Sequence, residues 1–186
     1  MKVLFDGFDR YAFPEGIKSV AAGYGSEVLL IIGSEKTALV DCGTAHCAEK
    51  MIKNLKRELD GKKLDYLLLS HSHYDHIGAM PFLKEAWPEL KTFGAAYAQK
   101  VLSNQRAIDT INSLSQDAAK TYEGITELKI PEGGFSVDEV VGDGDKISLG
   151  KETITVIETK GHTDCSISFG LNLLSRFLVG SLIFSP

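Results

Sequence analysis

The run Ser70-His71-Ser72-His73-Tyr74-Asp75-His76-Ile77-Gly78 places three of the chain's five histidines and a carboxylate within a few positions, and it constrains the fold more than any other stretch. It follows the apolar run Leu64-Asp65-Tyr66-Leu67-Leu68-Leu69, which reads as a buried strand, and precedes Ala79 to Trp87, which reads as the start of a helix. The ligand-type side chains therefore sit on a strand-to-helix loop, at the carboxyl end of a strand, where sheet proteins build sites. A lone histidine is ordinarily a satisfied core or surface residue. Imidazoles at 71 and 73 in an extended loop can instead turn toward one point, and Asp75 with His76 adds two donors of the kind that borderline divalent metals accept. The cluster reads as a metal site.

With 186 residues, 44% of them hydrophobic, the chain supports one domain over 1–186 with a real core. A net charge of −5 with no Lys/Arg cluster excludes nucleic acid held by bulk electrostatics, so the expected partner is a small-molecule substrate. No window approaches the roughly 20 apolar residues of a membrane span. The opening Met1-Lys2-Val3-Leu4-Phe5-Asp6 meets acid too soon for a signal peptide, so no membrane partner and a cytoplasmic location are expected. Cys42, Cys47 and Cys165 are an odd number without framework spacing; they read as free thiols, with Cys42 and Cys165 near the site.

Glu27 to Ile32 and Thr37 to Val40 read as strands joined by a hairpin at Gly33-Ser34-Glu35-Lys36. The second ends in Asp41-Cys42-Gly43, which puts a carboxylate at a strand's carboxyl end beside a tight turn. That carboxylate is either a partner that orients a metal ligand or an ordinary turn aspartate. Ala48 to Asp60 carries Ile52, Leu55 and Leu59 at helical spacing, with Gly61 as terminator. Pro81 to Trp87 reads as helix stopped by Pro88, and Lys91-Thr92-Phe93 as a short strand. Ala95 to Leu102 and Arg106 to Lys120 read as helices, the second with Ile108, Ile111, Leu114 and Ala118 as its packing face; Tyr97 and Tyr122 are candidate pocket residues.

Beyond Glu127 the pattern changes to strands at Leu128 to Ile130, Val137 to Val141, Lys146 to Leu149 and Thr153 to Glu158. Asp143-Gly144-Asp145 lacks the later ligands of a calcium loop and reads as a turn. Gly161-His162-Thr163 then brings a fourth histidine of interest after a strand, and Phe177 to Phe184 is a last apolar run.

Val40-Asp41-Cys42-Gly43, the His71 to Gly78 run and Gly161-His162-Thr163, in this order, resemble the metallo-β-lactamase fold superfamily of metal-dependent hydrolases. The resemblance runs from about Glu27 to the end and implies an α/β (α+β) fold, the αββα four-layer sandwich, with its second half incomplete and its metals at one edge. It implies a first metal on His71, His73 and His162 and a second on Asp75 and His76. Asp75 is also the expected catalytic residue, orienting a water or accepting its proton. The family would add a bridging carboxylate, where this chain has Ser181, and one more histidine; His46 is not in that position. The expectation is a chain truncated from a longer protein, or a shortened relative with an altered site. In either case the first metal position fills preferentially.

Zinc is the first choice of cofactor, one or two ions, with iron or manganese as alternatives. Three neutral imidazoles leave a four-coordinate dication one place for water and bring that water's pKa down toward about 7. The resulting expectation is a metal-dependent hydrolase acting with that hydroxide on a small ester, thioester or related substrate. One alternative is a binding or interaction protein that keeps the fold and has impaired catalysis. Another is a di-iron oxidoreductase-like member; relatives of that kind usually carry glutamate where this chain has His73.

Overall fold

The apolar runs that flank the histidine loop form the centre of a mixed sheet. The structure is a computed structural model and describes residue 13 and residues 15–172. In chain order the elements are β1 (Ile17–Ser19), β2 (Leu29–Ile32), β3 (Thr37–Val40), a 3₁₀ turn (Ala45–Cys47), α1 (Ala48–Leu59), β4 (Tyr66–Leu68), α2 (Tyr74–Ile77) and α3 (Met80–Ala86). There follow β5 (Lys91–Gly94), α4 (Ala96–Leu102), α5 (Gln105–Glu123), β6 (Glu139–Val140), β7 (Lys146–Ser148), β8 (Thr153–Glu158) and β9 (Ile167–Leu171).

One sheet has the order β1-β2-β3-β4-β5-β6, antiparallel through β3 and parallel from β3 to β6; the other is the antiparallel β7-β8-β9. Strand alternation sends successive residues to opposite faces. Leu39 and Leu67 join the core under the helices, whereas Ala38, Val40 and Leu68 join a second core against Ile147, Ile154, Val156 and Phe169 of the smaller sheet. Both faces of β3 are thus covered, which is why it reads as an unbroken apolar run. On the helix side, α1 buries Ala48, Met51, Leu55 and Leu59, a stripe at helical spacing. Among the described residues the layers are helix, sheet and sheet, with the metal-type loop at the carboxyl ends of the parallel strands. This is the mixed α/β sandwich the resemblance implies. The Phe177 to Phe184 run lies outside the described residues.

Several elements differ from the sequence reading. Leu128 to Ile130 forms no strand: the Leu128 amide donates to Gln116 Oε1 of α5 at 2.7 Å, so the segment docks on a helix. Val137 to Val141 pairs only at Glu139 and Val140, because it runs along the sheet's edge. The strands β1 and β9 were not anticipated. Leu114 is 43% exposed, so the buried face of α5 turns instead through Ile111, Ser115 and Ala118. After α1 both Asp60 (φ 47°) and the anticipated Gly61 (φ 83°) are left-handed, so the stop begins one position ahead of the glycine. Among the described residues no helix is long and apolar enough to cross a membrane.

Candidate metal site

Asp41 organises the site. The chain leaves β3 in a left-handed turn at Asp41 (φ 56°), a conformation a short polar side chain tolerates, and its side chain is 7% exposed. It accepts from the Ser70 amide (2.8 Å), the Ser70 hydroxyl (2.6 Å) and His76 Nδ1 (2.8 Å). One buried acid therefore ties the end of β3 to both ends of the histidine loop. Of the two readings the sequence left open for Asp41, the ligand-orienting one describes these contacts.

After Ser70 the loop runs extended to His73 and then closes into the single turn of α2, with the His76 and Ile77 amides donating to the His73 carbonyl. The Cys42 and Gly43 amides donate in turn to the His76 carbonyl at 2.7 and 3.1 Å. Gly78 is needed for this packing. A Cβ there would lie 2.5 Å from the Tyr74 carbonyl oxygen and 2.7 Å from the Ala45 amide nitrogen, both backbone atoms that cannot yield. His162 arrives from the β8–β9 loop, which closes through Thr163 and Ser166 (hydroxyls 2.7 Å apart) and is joined to the histidine loop by the Ile167 amide donating to the Ser70 carbonyl. Cys165 Sγ lies 3.4 Å from the Ser72 hydroxyl and 3.3 Å from that of Thr163, bridging the two loops.

These constraints bring His71, His73 and His162 together, each offering a ring nitrogen within 4.8 Å of the others. His162 Nε2 and His73 Nδ1 are 3.1 Å apart. A tetrahedral ion bound at about 2.0–2.1 Å would hold such nitrogens roughly 3.3–3.4 Å apart, so the spacing suits a metal. The fit has a second sign. His71 is buried, its Nδ1 meets the Ser70 hydroxyl at 3.0 Å, and its Nε2 is buried without any hydrogen-bond partner. A buried, unpaired ring nitrogen is costly unless something such as a cation binds it.

Electrostatics keep His71 and His73 in the neutral, ligating form. Burial, reinforced by the charge of His76, lowers the His71 pKa to about 3, and burial with the charge of His162 lowers that of His73. His76 behaves oppositely: burial works against its charge, but the Asp41 hydrogen bond and the charges of Asp41 and Asp75 outweigh it and raise its pKa. Asp75 Oδ2 stands 3.9 Å from His76 Nε2, and the His71 and His76 rings are 4.0 Å apart. The acid–imidazole pair therefore adjoins the trio as a second donor set. Ser181 lies outside the described residues.

Of the other anticipated residues, Cys42 and Cys165 are buried free thiols beside the site, and Tyr97 is on the surface with Lys100 Nζ 5.9 Å from its ring centroid. Tyr122 stacks on Tyr24. His46, next to the Asp41 turn, faces Tyr122 rather than the trio. Ser70 was not anticipated. Its signal was a hydroxyl at a strand end immediately before the first histidine.

Fold and site together define a two-sheet α/β protein with a cluster of three imidazoles at the sheet edge that could hold a metal ion. A sequence profile described as the Metallo-beta-lactamase superfamily matches residues 22–186, and the chain belongs to that superfamily. It is 32% identical over 128 residues to a nitric oxide reductase of Moorella thermoacetica, covering 69% of this chain and 26% of that protein. It is 28% identical over 139 residues to glyoxylase B2 of Dictyostelium discoideum, covering 75% of this chain and 41% of that protein. The chain thus spans between a quarter and a half of the length of these relatives. A subclass B3 metallo-beta-lactamase of Bradyrhizobium japonicum superposes with a TM-score of 0.65 at 20% identity, over 91% of this chain and 58% of that one, which shows the fold.

Proposed function

We propose that this chain carries a hydrolytic centre in which His71, His73 and His162 hold a zinc ion, with Asp75 and His76 as the weaker second position. The observation that carries the reading is the buried, unpartnered Nε2 of His71, a residue clustered with two further imidazoles. A dication there supplies Lewis acidity toward a carbonyl and a water acidic enough to ionise near neutral pH. The chain's own residues do the rest. Asp41 accepts the Nδ1 proton of His76 and so leaves Nε2 free toward the site. Asp75, with its side chain 38% exposed, is placed to orient a water or take its proton. His73 and His162 are exposed, so a small ester or thioester has an open approach.

A redox reading draws on the likeness to the Moorella nitric oxide reductase. The all-imidazole trio favours hydrolysis over it. The test is a panel of small esters and thioesters assayed with zinc-loaded and chelator-treated chain and with His71→Ala. Turnover that disappears in both treatments supports the proposal. Chelator-insensitive turnover, or none with the zinc-loaded chain, overturns it.

A further inference from the structure

Besides its buried stripe, α1 carries Glu49, Ile52, Lys53 and Lys56 at helical spacing, and these line a groove on the helix layer. A second wall comes from α3, through Phe82, Glu85 and Ala86, and a third from Lys129, Ile130 and Pro131. The third wall is held at both ends. Gln116 of α5 accepts from the Leu128 amide at 2.7 Å and donates to the Ile125 carbonyl at 3.3 Å. On the other side Gly133 and Gly134 turn through left-handed conformations (φ 74° and 84°), and a Cβ at Gly134 would stand 2.7 Å from Pro81 Cα of α3. A wall fixed in this way needs little ordering when a ligand arrives.

The groove has a volume of about 840 Å³, within the size range of small-molecule sites, about 300–1,000 Å³. Its floor is apolar: Ile52, Phe82, Ile130 and Pro131 are half-buried, and Ile52 and Phe82 rest on the core beneath the helices. Its charge is unbalanced. Lys53, Lys56 and Lys129 are exposed, and among the described residues none of them has a carboxylate oxygen within 4.0 Å. Glu49 stands four residues before Lys53, the spacing that favours pairing on a helix, yet the two do not pair. Lys56 Nζ instead lies 5.8 Å from the Trp87 ring centroid. Lys53 and Lys56 repel each other across one helical turn. Three lysines against Glu49 and Glu85 leave one positive charge uncompensated, on a chain whose net charge is −5. A monoanion balances it.

We propose that this groove binds a small anionic amphiphile, a carboxylate on a medium-length aliphatic chain, with the chain on Ile52, Phe82 and Ile130 and the head among the three lysines. Ammonium groups meet a carboxylate as point charges, without the planar fork that an arginine would present. From Glu49 to Lys56 the α1 wall spans seven residues, about 10 Å, which suits an extended acyl chain of that class. The groove shares no lining residue with the histidine trio. The inference goes beyond the hydrolytic reading and stands without it.

The test titrates the purified chain with decanoate below its micelle concentration, and with acetate and decyltrimethylammonium, which lack the apolar body or the negative charge. Methyl, aromatic and amide NMR signals are followed. The expected result is saturable shifts at Ile52, Phe82 and Ile130 with decanoate, and no saturable shift there with acetate or with the cation. Lys53→Ala combined with Lys56→Ala changes only exposed side chains and is expected to weaken decanoate binding about two- to thirtyfold. Equal binding of decanoate and decyltrimethylammonium, shifts confined to the histidine loop, or an affinity unchanged in the double variant would overturn the proposal. So would a hexaglutamate peptide that displaces decanoate at lower concentration, because the apolar floor would then have no part in recognition.

Discussion

Replacing Asp41 by Asn tests whether one buried carboxylate organises the site. The side chain keeps its shape and loses its charge. Its amide oxygen can still accept from the Ser70 amide, but its NH₂ now faces the Ser70 hydroxyl and His76 Nδ1. The hydroxyl can turn to accept. His76 can accept only by moving its proton to Nε2, the nitrogen on the Asp75 side. Hydrogen bonds to a charged group contribute about 1.5–3 kcal/mol each, so one mismatched pair costs about 2 kcal/mol and Asp41→Ala about 4 kcal/mol. Loss of a partner that orients a ligand weakens metal binding roughly 10–100-fold. The signs of the pH effect differ between the variants. In the wild type the raised His76 pKa means its charge stabilises the metal-free fold below the ordinary value of 6.5, and this contribution fades as pH rises through the folded pKa. In Asp41→Asn only burial and Asp75 remain to set it, and the His76 pKa falls. The assays are urea unfolding of the metal-free chain, chelator competition for zinc, and NMR titration of the His76 ring. An unchanged His76 titration with unchanged zinc affinity would refute the argument.

Three further outcomes follow from the same geometry. His71, with its pKa near 3 against an ordinary 6.5, binds its proton only on unfolding, so the metal-free chain loses stability as pH falls through this window. Between pH 6.5 and 4.5 the loss from this group is about 2–3 kcal/mol, and urea midpoints in His71→Gln will fall less steeply over that range. Gly78→Ala forces a Cβ against the Tyr74 carbonyl and the Ala45 amide, which costs roughly 3 kcal/mol and lowers zinc affinity as α2 shifts; thermal melting and chelator competition check both. Lys18→Ala removes an ion pair whose lysine is 49% exposed, and its unfolding free energy from urea denaturation will change by less than about 1 kcal/mol.

The site was more legible than the fold around it, for physical reasons. Metal chemistry admits few side-chain types, so His71, His73 and His162 stood out by residue type and by their positions after apolar runs. Asp41 was legible as a carboxylate at a strand end, but its three donors come from a loop distant in sequence, and no local pattern reveals them. Strands covered on both faces, such as Thr37–Val40, announce themselves as continuous apolar runs. Ile17–Ser19 is an edge strand with one buried residue and gives no such signal. Ile167–Leu171 is fully buried yet contains Ser168 and Gly170, small residues that mask its apolar character. Leu128 to Ile130 has strand composition but docks on α5 through Gln116, a tertiary contact that overrides local preference.

Whether His71, His73 and His162 hold a metal ion is decided by a metal count on the purified chain. Mass spectrometry under native conditions, after equilibration with zinc and removal of excess, is expected to show about one ion per chain, and none in His162→Ala or His71→Ala with folding intact by circular dichroism. A wild-type chain that is folded at neutral pH and retains no zinc would contradict the account, as would variants that keep the ion.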